Sequence, residues 1–161
     1  MNTEKPKIAY IMKYVTFGLI IVFVVLLMIF MSGSNKPFEE VESQVEASLN
    51  TEELTRQEDS MFKRNFGLNA ADYSGVMYYT TGASMSADEV LLIRVKSDDQ
   101  VQAVTDAIEA RIASRKNDFE GYAPEEAKLL EGAVQSVRGR YIFYAVSPDA
   151  EKYLEVFGGS L

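Results

Sequence analysis

The 161-residue chain contains no cysteine and no histidine. Without cysteine there is no disulfide to brace a small outer domain, no thiol nucleophile and no lipid-modified cysteine of the lipoprotein type. Without histidine the Ser-His-Asp and Cys-His arrangements fall away, and with both types missing the usual zinc sites go too. No glycine-rich phosphate loop is present. Asp98 and Asp99 lack the alternating oxygen ligands and central glycine of a calcium loop. A Ser-Lys pair or a carboxylate dyad stays chemically open, but 24 acids make chance pairs abundant and no spacing singles one out. The expectation is a protein that is not an enzyme and carries no cofactor and no metal.

What is present is a run of 22 uncharged residues, Tyr14 to Asn35, between Lys13 and Lys36. At about 1.5 Å per helical residue it is long enough to cross a hydrocarbon layer of about 30 Å. Inside lipid every backbone amide must bond within its own segment, so helix is its only workable state. A cleaved signal peptide is the competing reading, because Ser32, Gly33 and Ser34 are small. The apolar region exceeds the roughly 7–15 residues usual for such a peptide. Lys5, Lys7 and Lys13 precede the run, whereas Lys36 is followed by Glu39, Glu40 and Glu42. Positive residues stay inside, which predicts a cytoplasmic N-terminus and an extracytoplasmic region from Lys36 onward, in a single-pass cell-membrane protein. The span carries no charge for transport or proton relay, and Gly18 has no partner four residues away for a GxxxG face. It reads as an anchor.

The 126 residues from Lys36 hold 13 Lys and Arg against 23 Asp and Glu, a formal charge of −10. Such a domain is a poor partner for nucleic acid and is repelled by anionic lipid head groups, although cationic ligands stay possible. Scattered acids of this kind serve solubility in the plainest reading. The length suffices for one modest core.

Hydrophobic periodicity divides this region further. Phe38, Val41, Val45 and Leu49 form one stripe of an amphipathic helix, which either packs on its own domain or serves as a stalk. A second helix is predicted from about Glu52 to Phe66, opened by Asn50 with Glu53 and stopped at Gly67. Strands follow at Ser74 to Thr81 and Val90 to Lys96. In the latter, Leu91, Ile93 and Val95 alternate with Leu92, Arg94 and Lys96 as in a half-buried strand. Ser97 and Gln100 open a long helix with Val101, Val104, Ile108 and Ile112 on its inner face. Pro124 begins a short helix, two strands at Ala133 to Arg138 and Arg140 to Ser147 turn around Gly139, and a closing helix starts at Ser147 and Pro148. The expected fold is α+β: a two-layer domain with a mainly antiparallel four-stranded sheet and helices on one face. The expected division is 1–13 cytoplasmic, 14–35 transmembrane, 36–60 helical linker or stalk, and 61–161 extracytoplasmic domain.

The blocks MFKRNFGLNAADYSGVMYY, SADEVLLIRVKS, EARIASR, FEGYAPEE and VRGRYIFYAVSPDA come in that order. Together they resemble an uncharacterised family of small extracytoplasmic domains of Gram-positive bacteria, tethered by a lipoprotein signal or a membrane helix. The resemblance covers about Met61 to Phe157 and points to Glu89, Lys96, Arg111, Tyr122, Pro124, Gly139 and Tyr141. The lipobox cysteine of many members is missing here, so the helix takes its place. The family implies location and fold but no chemistry.

Each of these residues also has a plain structural reading. Glu89 either caps a turn with Ser86 or pairs with Arg111, with ligand binding as the alternative. Tyr122 reads as an aromatic cover over the end of the long helix, and Gly139 as a hairpin residue with positive φ. Tyr78, Tyr79, Tyr141 and Tyr144 either suit a sheet or make a stacking surface for sugar or peptide. The functional expectation is a membrane-anchored binding or scaffolding domain with a protein partner in the envelope and no assigned small ligand. One alternative is a cell-wall hydrolase using two carboxylates about 5–9 Å apart across a cleft. Another is a ring- or channel-assembly module, suggested by the α-β-β-α-α-β order alone.

Overall fold

The structure is a computed structural model that describes residues 5–31, 35–83 and 85–161. It comprises two compact units, 1–32 and 33–161. The candidate cleavage residues Ser32, Gly33 and Ser34 lie outside the described residues.

The first unit contains one helix, α1 (Lys5–Met31). Within it Tyr10–Leu27 is long and apolar enough to cross a membrane, and none of that stretch is buried. Thr16 donates its hydroxyl proton to the Met12 carbonyl at 2.9 Å, the kind of internal bond that a hydroxyl in hydrocarbon requires.

The second unit is built on a five-stranded sheet, β1 (Leu54–Arg56), β2 (Gly75–Thr81), β3 (Glu89–Arg94), β4 (Val134–Arg138) and β5 (Tyr141–Val146). The spatial order is β1-β2-β3-β5-β4 and every pair is antiparallel. The helices are α2 (Phe38–Glu46), α3 (Asp59–Phe66), α4 (Gln100–Phe119), α5 (Pro124–Glu131) and α6 (Ala150–Ser160). Gln100 accepts the backbone N–H groups of Lys96 and Ser97, so the entry to α4 is closed by the residue that the spacing singled out. Gly139 turns β4 into β5 with φ 57°, and Gly67 ends α3 with φ 72°.

The expected α+β class holds, but two features differ. The sheet has five strands, not four, because the segment read as a single helix from Glu52 to Phe66 is a turn, β1 and then α3. Asn50 caps a turn instead of a helix: its Oδ1 accepts the Glu52 N–H at 3.3 Å and its carbonyl accepts that of Leu54 at 2.9 Å. The helices also cover both faces, giving three layers. Val41, Val45, Tyr153 and Phe157 from α2 and α6 pack against Met77, Leu92, Tyr141 and Phe143. Phe62, Phe66, Val104 and Ile108 from α3 and α4 pack with Leu91, Ile93, Ile142 and Tyr144 on the opposite side. Strand β3 is accordingly buried from Glu89 through Ile93, not half-buried, the pattern of a strand covered above and below. Each such Leu, Ile or Phe withdrawn from water contributes about 1.5–3 kcal/mol. Residues 38–56, assigned above to a linker or stalk, belong to this second unit: α2 packs on α6, and β1 pairs with β2.

Candidate functional site

Glu89 is the first residue of β3, and strand alternation places its side chain on the face shared by Leu91 and Ile93. Register sets Tyr78 of β2 and Tyr144 of β5 on either side of Leu91, one alternation step from Glu89. Both phenols reach its carboxylate. Tyr78 donates to Oε2 at 2.9 Å, and Tyr144 donates to Oε1 at 2.8 Å. From α4, Arg111 Nη2 donates to Oε2 at 3.1 Å, while Nε reaches both oxygens at 3.3 Å. Asn65 Nδ2 donates to the Tyr78 hydroxyl at 2.7 Å. The Phe66 ring stands edge-on to both tyrosines, with the Arg111 guanidinium 6.0 Å from its centre.

Glu89 is 2% exposed, and hydroxyl and guanidinium donors stand around its carboxylate where water would otherwise be. Burial, with the Glu89 charge next, raises the Tyr78 and Tyr144 hydroxyls well above the usual tyrosine value, which keeps both as donors. Burial opposes the Arg111 charge, but the Glu89 carboxylate more than offsets it and holds the guanidinium above its ordinary value.

Beside this cluster a cavity of about 410 Å³ opens between α3, α4 and the β2–β3 connection. Its lining includes the charged side chains of Arg64, Asp88, Glu89, Arg111 and Arg115, with Asn65 and Ser86 among the neutral polar ones. Ser86 is its organising residue: its hydroxyl donates to Asp88 Oδ2 at 2.8 Å, and its carbonyl accepts Arg115 Nη2 at 2.7 Å. The Arg115 guanidinium lies 4.4 Å above the Phe119 ring. Two polar atoms here are buried with no hydrogen-bond partner, Asp88 Oδ1 and Arg115 Nε. Burial pushes the Asp88 carboxyl up, opposed by the Ser86 hydroxyl and reinforced by Glu126 and Glu53. Glu126 also accepts the Ala87 N–H at 2.7 Å, tying α5 to the connection. Among the described residues no three His, Cys, Asp or Glu side chains are grouped as a metal site would require.

Of the residues singled out by sequence, the structure brings together Glu89 and Arg111. Ser86 engages Asp88 and not Glu89. Lys96 Nζ donates to the Ala71 carbonyl at 2.8 Å, away from the cluster. Tyr122 is 57% exposed and tilts against Phe119 at the end of α4, 5.9 Å between ring centres. Tyr141 is buried in the opposite core layer, where it donates to the Lys36 carbonyl at 2.8 Å and underlies Arg94. The tyrosine stacking surface is overturned: Tyr78 and Tyr144 are buried on one face of the sheet, Tyr79 and Tyr141 on the other. Arg64, Asn65, Asp88 and Arg115 were not anticipated. One sequence signal was available, since Arg111 and Arg115 stand four apart and therefore share a face of α4.

No curated protein and no solved structure matches the chain. A family model does match, over residues 47–147, from just after α2 to just before α6, so that all five strands and the whole Glu89 cluster fall within it. By that match the chain belongs to the family described as a domain of unknown function, DUF4358.

Proposed function

We propose that the chain is a single-pass membrane protein of a Gram-positive envelope, with its N-terminus in the cytoplasm and the unit 33–161 outside as a binding or scaffolding domain for a protein partner. The observation that carries this reading is the stretch Tyr10–Leu27 of α1, apolar and with none of it buried, with Lys5 and Lys7 before it, Lys13 near its start, and Glu39, Glu40 and Glu42 beyond it. Binding is favoured over catalysis by the state of Glu89. Its two oxygens are engaged by Tyr78, Tyr144 and Arg111 within the fold, so both already have donors from the protein itself. The outer charge of −10 favours a protein partner over nucleic acid or an anionic lipid surface.

Protease added outside intact spheroplasts should digest the region after Lys36; full protection would reverse the orientation. Crosslinking in intact membranes followed by capture of the chain should recover a reproducible envelope protein, and repeated recovery of none would remove the partner.

A further inference from the structure

We propose that strand β4 is the pairing edge for a second copy of this chain, joined antiparallel about a two-fold axis at Ser136, with Gln135 of each copy opposite Val137 of the other. β4 ends the sheet, so one of its edges has no neighbouring strand. Register identifies the groups on that edge. Arg138 and Tyr141 flank a two-residue turn, and such a closing pair exchanges both of its backbone hydrogen bonds. The exchange then recurs at Ser136 with Phe143 and at Val134 with Ala145. The Val95 N–H, donated to the Arg140 carbonyl, agrees with this count, since it turns Arg140, and with it Ile142 and Tyr144, toward β3. Gln135 and Val137 therefore present their N–H and C=O groups outward, and nothing among the described residues bonds them. Two outward residues spaced two apart are self-complementary: Gln135 exchanges both bonds with Val137 of the other copy, and Val137 does so with Gln135.

Sheets blunt a free edge by shortness, proline, a bulge or charge. At the opposite edge β1 has three residues, its Leu54 N–H is taken by the Asn50 carbonyl at 2.9 Å, and Arg56 is ion-paired with Glu42. β4 has five residues, no proline and an unbroken register, and its one charged residue, Arg138, comes last. Charge then selects the occupant. The outer region carries −10, so two copies repel over most of their surface. Residues 132–148, the longest acid-free stretch after Lys36, hold two arginines and no acid, so β4 lies where that repulsion is least. Antiparallel pairing also sets Arg138 of each copy beside Val134 of the other, toward the exposed Glu131 that precedes it. It covers Val137, which is 42% exposed. The inference goes beyond the tethered-binder reading, because it concerns the unit 33–161 alone and needs neither a stated orientation nor another envelope protein.

The test uses single cysteines in a chain that has none of its own. On the two-fold axis Ser136 meets its counterpart as a non-hydrogen-bonded pair, with Cα atoms about 4.5 Å apart, inside the range a disulfide spans. Ser136→Cys, in the full chain in its membrane under a mild oxidant, should give a disulfide-linked product of twice the chain's mass. Ser114→Cys, on the exposed side of α4 and away from the edge, should give at least about tenfold less. Adding Val137→Pro to Ser136→Cys should remove the product, since it deletes an outward N–H at an edge position where proline is tolerated. Adding Val137→Lys instead, which keeps the N–H and places charge on the edge, should also lower the yield. No product from Ser136→Cys, equal yields from Ser136→Cys and Ser114→Cys, or a product unchanged by both Val137 substitutions would each overturn the proposal. A linked product of another mass in place of the dimer would assign the edge to a different protein and overturn it as well. The protease and capture experiments above use the chain without added cysteine, so the two readings fail separately.

Discussion

Arg111 and Glu89, 22 residues apart in sequence, meet at 3.1 Å between α4 and the sheet and join the longest helix of the domain to its central strand. Removing one partner strands the other charge away from water, which typically costs about 3–5 kcal/mol. Glu89→Gln and Arg111→Met should each destabilise by that order in denaturant titrations. The double variant should lose less than the sum of the two, and strict additivity would show that the pair is not coupled.

Gly75 accommodates Phe38. A Cβ built on Gly75 would lie 2.3 Å from two atoms of the Phe38 ring, far inside contact distance. Gly75→Ala should therefore destabilise by about 1–3 kcal/mol through overpacking. Pairing it with Phe38→Leu should recover part of that loss in a double-variant cycle measured by urea unfolding.

Tyrosine ionisation should set the alkaline limit of the fold. Burial raises Tyr78, Tyr79 and Tyr144 above the ordinary 10.0; for Tyr79, with Glu46 adding to the burial effect, the value is pushed up to about 12. A folded value above the unfolded one means that the native state holds its protons longer. The stability these groups contribute is full below about pH 10 and is lost as pH rises through their folded values. The unfolding midpoint followed by circular dichroism should fall from about pH 10 upward. A midpoint independent of pH up to the Tyr79 value would contradict this assignment.

Ionised Asp88 should weaken the domain. Its carboxyl is raised above 3.8, first by burial and then by Glu126 and Glu53 against the Ser86 and Ser147 hydroxyls. A raised value means that stability is lost as pH rises through it, so the ionised form at neutral pH is the less stable one. Asp88→Asn should raise the melting temperature at neutral pH, with the gain fading below the ordinary carboxyl value. A lower melting temperature at neutral pH would count against burial as the dominant effect on Asp88.

Much of this fold is legible in the sequence, where one period dominates. Val104 and Ile108 mark α4, the tyrosine- and valine-rich runs mark β2, β4 and β5, and Gly139 marks the turn between the last two strands. Strand β1 is not legible, since it has three residues and only Leu54 among them is buried, leaving no alternation to detect. The third layer was signalled by the unbroken apolar run Val90–Ile93, yet Arg94 and Lys96 after it suggested a polar face. The Glu89 cluster required register. Only when Tyr78 and Tyr144 are both set opposite Leu91 do the two phenols converge on Glu89, and no local pattern fixes that pairing. The cavity depends on three separate elements meeting, which no single stretch of sequence announces.

Lys36, the first charged residue after the apolar run, is fastened at two points. Its carbonyl accepts the Tyr141 hydroxyl of interior strand β5, and its Nζ donates to the Ser160 carbonyl at the end of α6, each at 2.8 Å. Tension applied along the chain at this residue passes directly into the middle of the sheet and the last turn of the closing helix. A load there is therefore shared by β5 and α6 and does not fall on α2 alone.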